Sequence, residues 1–143
     1  MKKSRNKEAT DAAWNTTYRS YKNSAKKRNL AFSISLDYFK FLCKQDCYYC
    51  GCSPNRQFSP YLNKKNILID KHISIDRALK SIILVNGIDR VDNKRGYDEG
   101  NCISCCFFCN DKKSSTDFEE FKEWIERVYK NLCHQQSIIN NAS

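Results

Sequence analysis

Two cysteine pairs, Cys47-Tyr48-Tyr49-Cys50 and Cys106-Phe107-Phe108-Cys109, are the residues of this chain whose spacing most clearly suits chemistry. A Cys-x2-Cys turn aims two thiolates at one point, and two such turns make the tetrahedral four-sulfur shell of a structural zinc ion. The 55 residues between the pairs are long for a zinc ribbon and call for folded structure in between. Redox chemistry at an isolated Cys-x2-Cys, or plain burial, is the competing use. Cys102-Ile103-Ser104-Cys105 repeats the spacing just upstream of the second pair. Cys106 and Cys109 are preferred because a polar helical stretch, Asn110-Asp111-Lys112-Lys113, starts directly after them. Cys43, Cys52, Cys102 and Cys105 could form a second metal site. Cys133 fits the core side or end of a last helix.

The setting of these cysteines favours metal over disulfide. No apolar stretch follows Met1-Lys2-Lys3, and the longest aliphatic run, 82–85, is far too short to cross a bilayer. An intracellular protein with no membrane partner, reduced thiols and one structural Zn²⁺ is expected. The 143 residues allow a single modest core, and 41% hydrophobic content argues against wholesale disorder.

Charge is unevenly distributed. Residues 1–30 hold nine Lys or Arg against Glu8 and Asp11, which is +7 of the chain's formal +9. Such a cluster attracts phosphates at long range, and Arg19, Lys22, Lys26, Lys27 and Arg28 are candidates for nucleic-acid contact. The composition suits RNA as well as DNA, and a solubilising tail is the plainer reading.

The elements that would position these residues follow from periodicity. A flexible basic start (1–11) precedes a helix at 12–27, where Trp14, Tyr18, Tyr21 and Ala25 share one face. Residues 30–34 alternate like a short strand, and Ser35 caps a helix over 36–44. Together 12–46 form a basic helical region packed on a core at 47–133. Its middle section, 53–85, yields short strands at 67–69 and 82–85 and a helical turn at 75–81. A further strand is expected near 102–104. Thr116 and Glu119 read as a capping box opening a last helix that ends near 131–133, with Phe118, Phe121, Ile125, Val128 and Leu132 in one stripe, widened by Trp124 and Tyr129 into the core. A tail covers 134–143.

Three of the four glycines lie at 87–100, in a polar stretch too rich in acids and arginines to be packing material. Its oxygens suit a hard divalent cation and a phosphate bound to it. Within it, Gly87-Ile88-Asp89-Arg90-Val91-Asp92-Asn93, Gly96-Tyr97 and Asn101, followed by Cys106-x2-Cys109-Asn110 and Lys113, resemble the HNH endonuclease superfamily. The nearest form is its zinc-knuckled branch in phages and large DNA viruses, distantly similar to phage recombination endonuclease VII. Tyr21-x3-Ala25-Lys26-Lys27-Arg28-x-Leu30-x-Phe32-x-Ile34 and Cys47-Tyr48-Tyr49-Cys50-Gly51 extend the likeness over about 18–130.

The resemblance implies an α+β fold: a small ββα-metal (HNH/His-Me finger) nuclease core with a four-cysteine zinc site and flanking helices. It implies a metal-dependent DNA endonuclease leaving 5′-phosphate and 3′-hydroxyl ends, acting on double-stranded or branched DNA in the cytoplasm or nucleus of a host. Asp89 and Asn110 would hold Mg²⁺ or Mn²⁺, and Asn101 would brace the loop. Arg95, Lys112 and Lys113 would join the nucleic-acid contacts. Arg90 stands where the superfamily has its water-activating histidine, and a guanidinium cannot be an ordinary base. It can stabilise phosphate charge, which leaves Asp92, His72 or metal-bound water as base; His134, past the last helix, is not expected at the site. An inactive nucleic-acid binding module and a zinc protein-interaction domain are the alternatives.

Overall fold

The computed structural model describes the backbone of residues 2–62, 68–69 and 72–141, and the side chains of residues 8–62, 68–69 and 72–134. Helix α1 (Lys2–Lys27) starts ten residues before the expected position, so the stretch read as a flexible tail is helical from Lys2. Ala9, Ala12 and Ala13 favour helix, and no glycine or proline interrupts the run. Asn29, at φ +54°, ends it: the N–H of Leu30 reaches the carbonyl of Ala25 at 3.0 Å and that of Asn29 reaches Lys26 at 3.0 Å. This is a Schellman closure with Asn in the left-handed position.

Helix α2 (Leu36–Cys43) follows, with Ser35 Oγ accepting the Tyr38 N–H at 3.1 Å, and buries Phe39, Leu42 and Cys43. The alternating residues 30–34 form no strand. Phe32 makes a single parallel bridge to Tyr97. Gly96 lies so close to Ala31 that a Cβ would overlap its backbone, and only glycine permits the approach.

The middle section carries a strand that its sequence did not announce, β1 (Arg56–Phe58), then α3 (Ile75–Lys80), capped by Ser74, and β2 (Ile83–Val85). β1 and β2 pair antiparallel, Gln57 opposite Leu84. Of the strand expected at 67–69, Ile67 lies outside the described residues, and Leu68 makes an isolated bridge to Leu62.

A second antiparallel pair, β3 (Gly87–Arg90) and β4 (Cys102–Cys105), sets Asp89 opposite Ile103. Helix α4 (Phe107–Lys113) follows β4 with Cys106 as its N-cap, completing a ββα unit. The main core gathers Ala13, Trp14 and Ala25 of α1, Phe39 of α2, Ile83 and Val85 of β2 and Ile88 of β3, with Tyr18 and Tyr21 edge-on to Phe39. The cysteine pairs form a smaller separate cluster.

Helix α5 (Phe118–Asn141) departs most from expectation. It takes in residues 134–141, read as tail. Asp117, not Thr116, begins it, its Oδ1 accepting the Glu119 N–H at 3.0 Å. Its apolar stripe is largely uncovered: Phe121 is 4% exposed, but Trp124, Ile125, Tyr129, Leu132 and Cys133 are exposed. Contact with the body is made by Phe118 and Phe121, whose rings meet Tyr48 and Tyr49. Among the described residues no helix is long and apolar enough to cross a membrane.

Candidate active site and metal centre

The Sγ atoms of Cys47, Cys50, Cys106 and Cys109 all lie within 4.8 Å of one another. The knuckle turn is closed by Gly51, at φ +71°, whose N–H reaches the Cys47 carbonyl at 2.8 Å. The Tyr48 N–H donates to the Ser104 carbonyl at 2.9 Å, which fixes this knuckle on β4. Cys106 Sγ accepts the Cys109 N–H at 3.4 Å while capping α4. Burial opposes ionisation of Cys47, but hydrogen bonds from the backbone at Cys106, Cys50 and Tyr49 reverse the balance and bring its thiol down to about 6. Four convergent sulfurs fit a structural zinc ion.

Among the described residues this is the one cluster of its kind. The second metal site considered for Cys43, Cys52, Cys102 and Cys105 does not form. Cys43 and Cys102 sit in the main core, where burial pushes both thiols up to about 12, while Cys52 and Cys105 pack beside the four-cysteine cluster.

A cavity of about 480 Å³ opens beside the ββα unit. Asp89 and Arg90 of β3 and Asn110 of α4 line it together with Tyr97, while Arg28, just past α1, and Arg56 of β1 line it from other elements. Asp89 is 6% exposed. Its Oδ2 accepts from the Tyr49 hydroxyl at 2.8 Å and faces the Lys113 ammonium at 3.1 Å. Burial first, and then the bond to Asp89, raise the Tyr49 pKa well above the ordinary phenol value.

Arg90 is braced rather than loose. Its Nη1 donates to the carbonyls of Asn93 at 2.7 Å and Arg95 at 2.6 Å, and its guanidinium lies 5.3 Å from the Tyr97 ring centre. Asn101, 1% exposed, ties the same loop: its Nδ2 reaches the carbonyls of Asp92 and Gly96, and its Oδ1 accepts the Asp92 N–H.

The base candidates fare differently. The Asp92 carboxylate accepts the Lys94 N–H at 2.8 Å, closing a turn, and does not line the cavity. Neither does His72, which is exposed, nor His134, exposed on α5. Of the basic residues, Arg19 and Lys27 line one groove on α1 and Lys22 and Lys26 the next. The first groove shares Ser20 and Ser24 with the cavity, so the two adjoin. Arg28 donates to the Tyr97 hydroxyl at 2.6 Å, and Arg95 pairs with Asp98 at 2.8 Å. Lys112 is exposed.

Lys113 must be reassigned. It is 0% exposed, so it contacts no nucleic acid; it sits between Asp89 and the Arg90 carbonyl at 3.2 Å. Sequence reasoning quoted Tyr49 and Tyr97 only as parts of motifs, with no role of their own, and passed over Arg56. The spacing of Asn110 and Lys113 held a usable signal, since residues three apart share a helix face.

Asp89 and Asn110 line the same cavity and both carry side-chain oxygens, the donor type that a hard divalent cation takes.

The fold is distantly similar to an HNH-type nuclease architecture. The chain superposes with a TM-score of 0.52 on the rare-cutting HNH restriction endonuclease PacI, at 21% identity, covering 86% of this chain and 81% of that one. It is also 37% identical over 94 residues to an uncharacterized protein of Acanthamoeba polyphaga mimivirus, a match covering 66% of this chain and 13% of that much longer relative. No family model matches the chain.

Proposed function

We propose that the protein is a metal-dependent DNA endonuclease that hydrolyses phosphodiester bonds to 5′-phosphate and 3′-hydroxyl ends. The observation that carries this reading is the shared cavity of Asp89 on β3 and Asn110 on α4, in a ββα unit held by a four-cysteine cluster. Asp89 and Asn110 hold the catalytic cation. Held there, a divalent ion would supply polarisation of the scissile phosphate and stabilisation of the departing 3′ oxygen. Arg90, fixed by its two carbonyl partners, stabilises charge on the phosphate. Asn101 keeps the loop in shape, and the zinc serves structure only. The basic grooves of α1, with Lys112 and Arg95, guide the backbone phosphates without reading sequence.

One observation favours a second reading. No histidine lines the cavity among the described residues, as suits a binding module that retained the scaffold and lost the chemistry. Supercoiled-plasmid cleavage with Mg²⁺, Mn²⁺ or EDTA, run beside Asp89→Ala, decides between them. Metal-dependent nicking that the variant lacks supports the enzyme. Binding without cleavage, on linear and branched DNA alike, supports the module. Equal cleavage by both proteins refutes the site.

A further inference from the structure

We infer that Lys113 is a resident counter-cation of Asp89, holding the substrate-free site at low affinity for the divalent ion. This rests on the reading of Asp89 as a ligand of that ion.

A lysine with no exposed surface is rare, because burying an unpaired ammonium is prohibitive. Here the charge is paired: the Lys113 ammonium lies 3.1 Å from Asp89 Oδ2 and 3.2 Å from the Arg90 carbonyl. The Asp89 carboxylate is itself buried, with 7% of its side chain exposed, so little solvent screens the pair. Tyr49 donates to the same Oδ2 at 2.8 Å and withdraws further charge from it. Oδ2 is therefore doubly engaged.

The placement also links the two centres. Tyr49 lies between zinc ligands Cys47 and Cys50, and Lys113 is one turn beyond Asn110 on α4. A divalent cation arriving at Asp89 meets a fixed positive charge whose partner it must share. Among the residues lining the cavity, Arg28, Arg56 and Arg90 are cationic and Asp89 is the acid. A phosphate would lower that positive excess, so ion and nucleic acid favour each other's arrival. Lys113 and Tyr49 act through Asp89 and are positioning residues.

The test is Mn²⁺ binding to the zinc-loaded full chain, read from the electron paramagnetic resonance of free Mn²⁺, without nucleic acid. Lys113→Met should tighten Mn²⁺ binding by roughly 10-fold or more, since a like charge beside the ion is removed. Lys113→Arg should retain weak binding, and Tyr49→Phe should tighten it by about 3-fold, as one hydrogen bond to the carboxylate disappears. A purely structural role would lower the melting temperature of Lys113→Met and leave its affinity unchanged or weaker, and that result overturns the inference. Should Lys113→Met not fold, an unchanged affinity in Tyr49→Phe overturns it equally. Asp89→Asn separates the two levels. If it binds Mn²⁺ as wild type does, the cation-ligand reading fails and takes the inference with it. If it loses binding while Lys113→Met merely matches wild type, the counter-cation role alone fails.

Discussion

Helices α1 and α5 carry the same kind of sequence signal and meet different fates. Both space large apolar residues at threes and fours, yet α1 buries Ala9, Ala13, Trp14 and Ala25, whereas α5 buries Phe121 alone among its described side chains. The difference lies in the small residues. Three alanines on α1 are at most 3% exposed and let its backbone come close to the core, while α5 contains neither alanine nor glycine. An apolar stripe establishes a helix; its neighbours' sizes decide how deeply it packs. α5 rests instead on the first cysteine knuckle, through Phe118 and Phe121 against Tyr48 and Tyr49.

The largest effect should come from cutting that foothold. Cys106→Ser removes one sulfur of the four-cysteine cluster, and metal binding in a small domain is coupled to its folding. Zinc content should fall toward zero with loss of the cooperative melt. Under gradual chelation of wild type, hydrogen exchange should open α5 before α1, and simultaneous opening would show that the two helices share one core.

Next, Trp14→Ala should cost about 3–5 kcal/mol in denaturant unfolding, the usual range for emptying a buried aromatic site. A destabilisation below about 1 kcal/mol, the scale of an ordinary surface change, would mean that α1 is held by its alanines alone.

The polar faces sharpen the contrast. Lys22, Lys26 and Lys27 changed together to alanine should reduce the salt dependence of DNA binding by up to about one logarithmic unit for each phosphate they neutralise. Lys122 and Lys130, each paired with a glutamate on α5, should leave that slope unchanged when replaced. Equal slopes for wild type and both sets of variants would remove α1 from the interface. The smallest effect belongs to Trp124→Ala: with 43% of the residue exposed, the substitution should cost less than about 1 kcal/mol.

What the sequence disclosed was local or repeated. Ser35 announced α2 because a cap is read within four residues, and the two knuckles announced the metal cluster because ligand spacing is short. β1 stayed hidden: Arg56-Gln57-Phe58 has no alternation of its own and is a strand only beside Ile83–Val85. Lys113 looked like a surface cation because nothing adjacent in the chain reveals Asp89 beneath it. The true start of α5 was obscured by two acceptable caps, Thr116 and Asp117, of which the structure uses the second. The loop-bracing asparagine and the site acid were suggested by family likeness, not by periodicity. Their cavity depends on Arg28 and Arg56, from two other parts of the chain.

Tyr97 shows what such dependence means in time. Its hydroxyl accepts from Arg28, 69 residues earlier, and its backbone exchanges hydrogen bonds with Ala31 and Ser33. Tyr49 reaches Asp89 across 40 residues, and Cys50 reaches Cys106 across 56. Each closure costs chain entropy before any contact repays it, so these joints form late and slowly. On the ribosome, where the N-terminal part of a chain emerges first, α1 and the first knuckle must wait for α4. The cavity therefore has no partial version: a nascent chain that stops short of Lys113 lacks the helix that completes it, whatever else it has already folded.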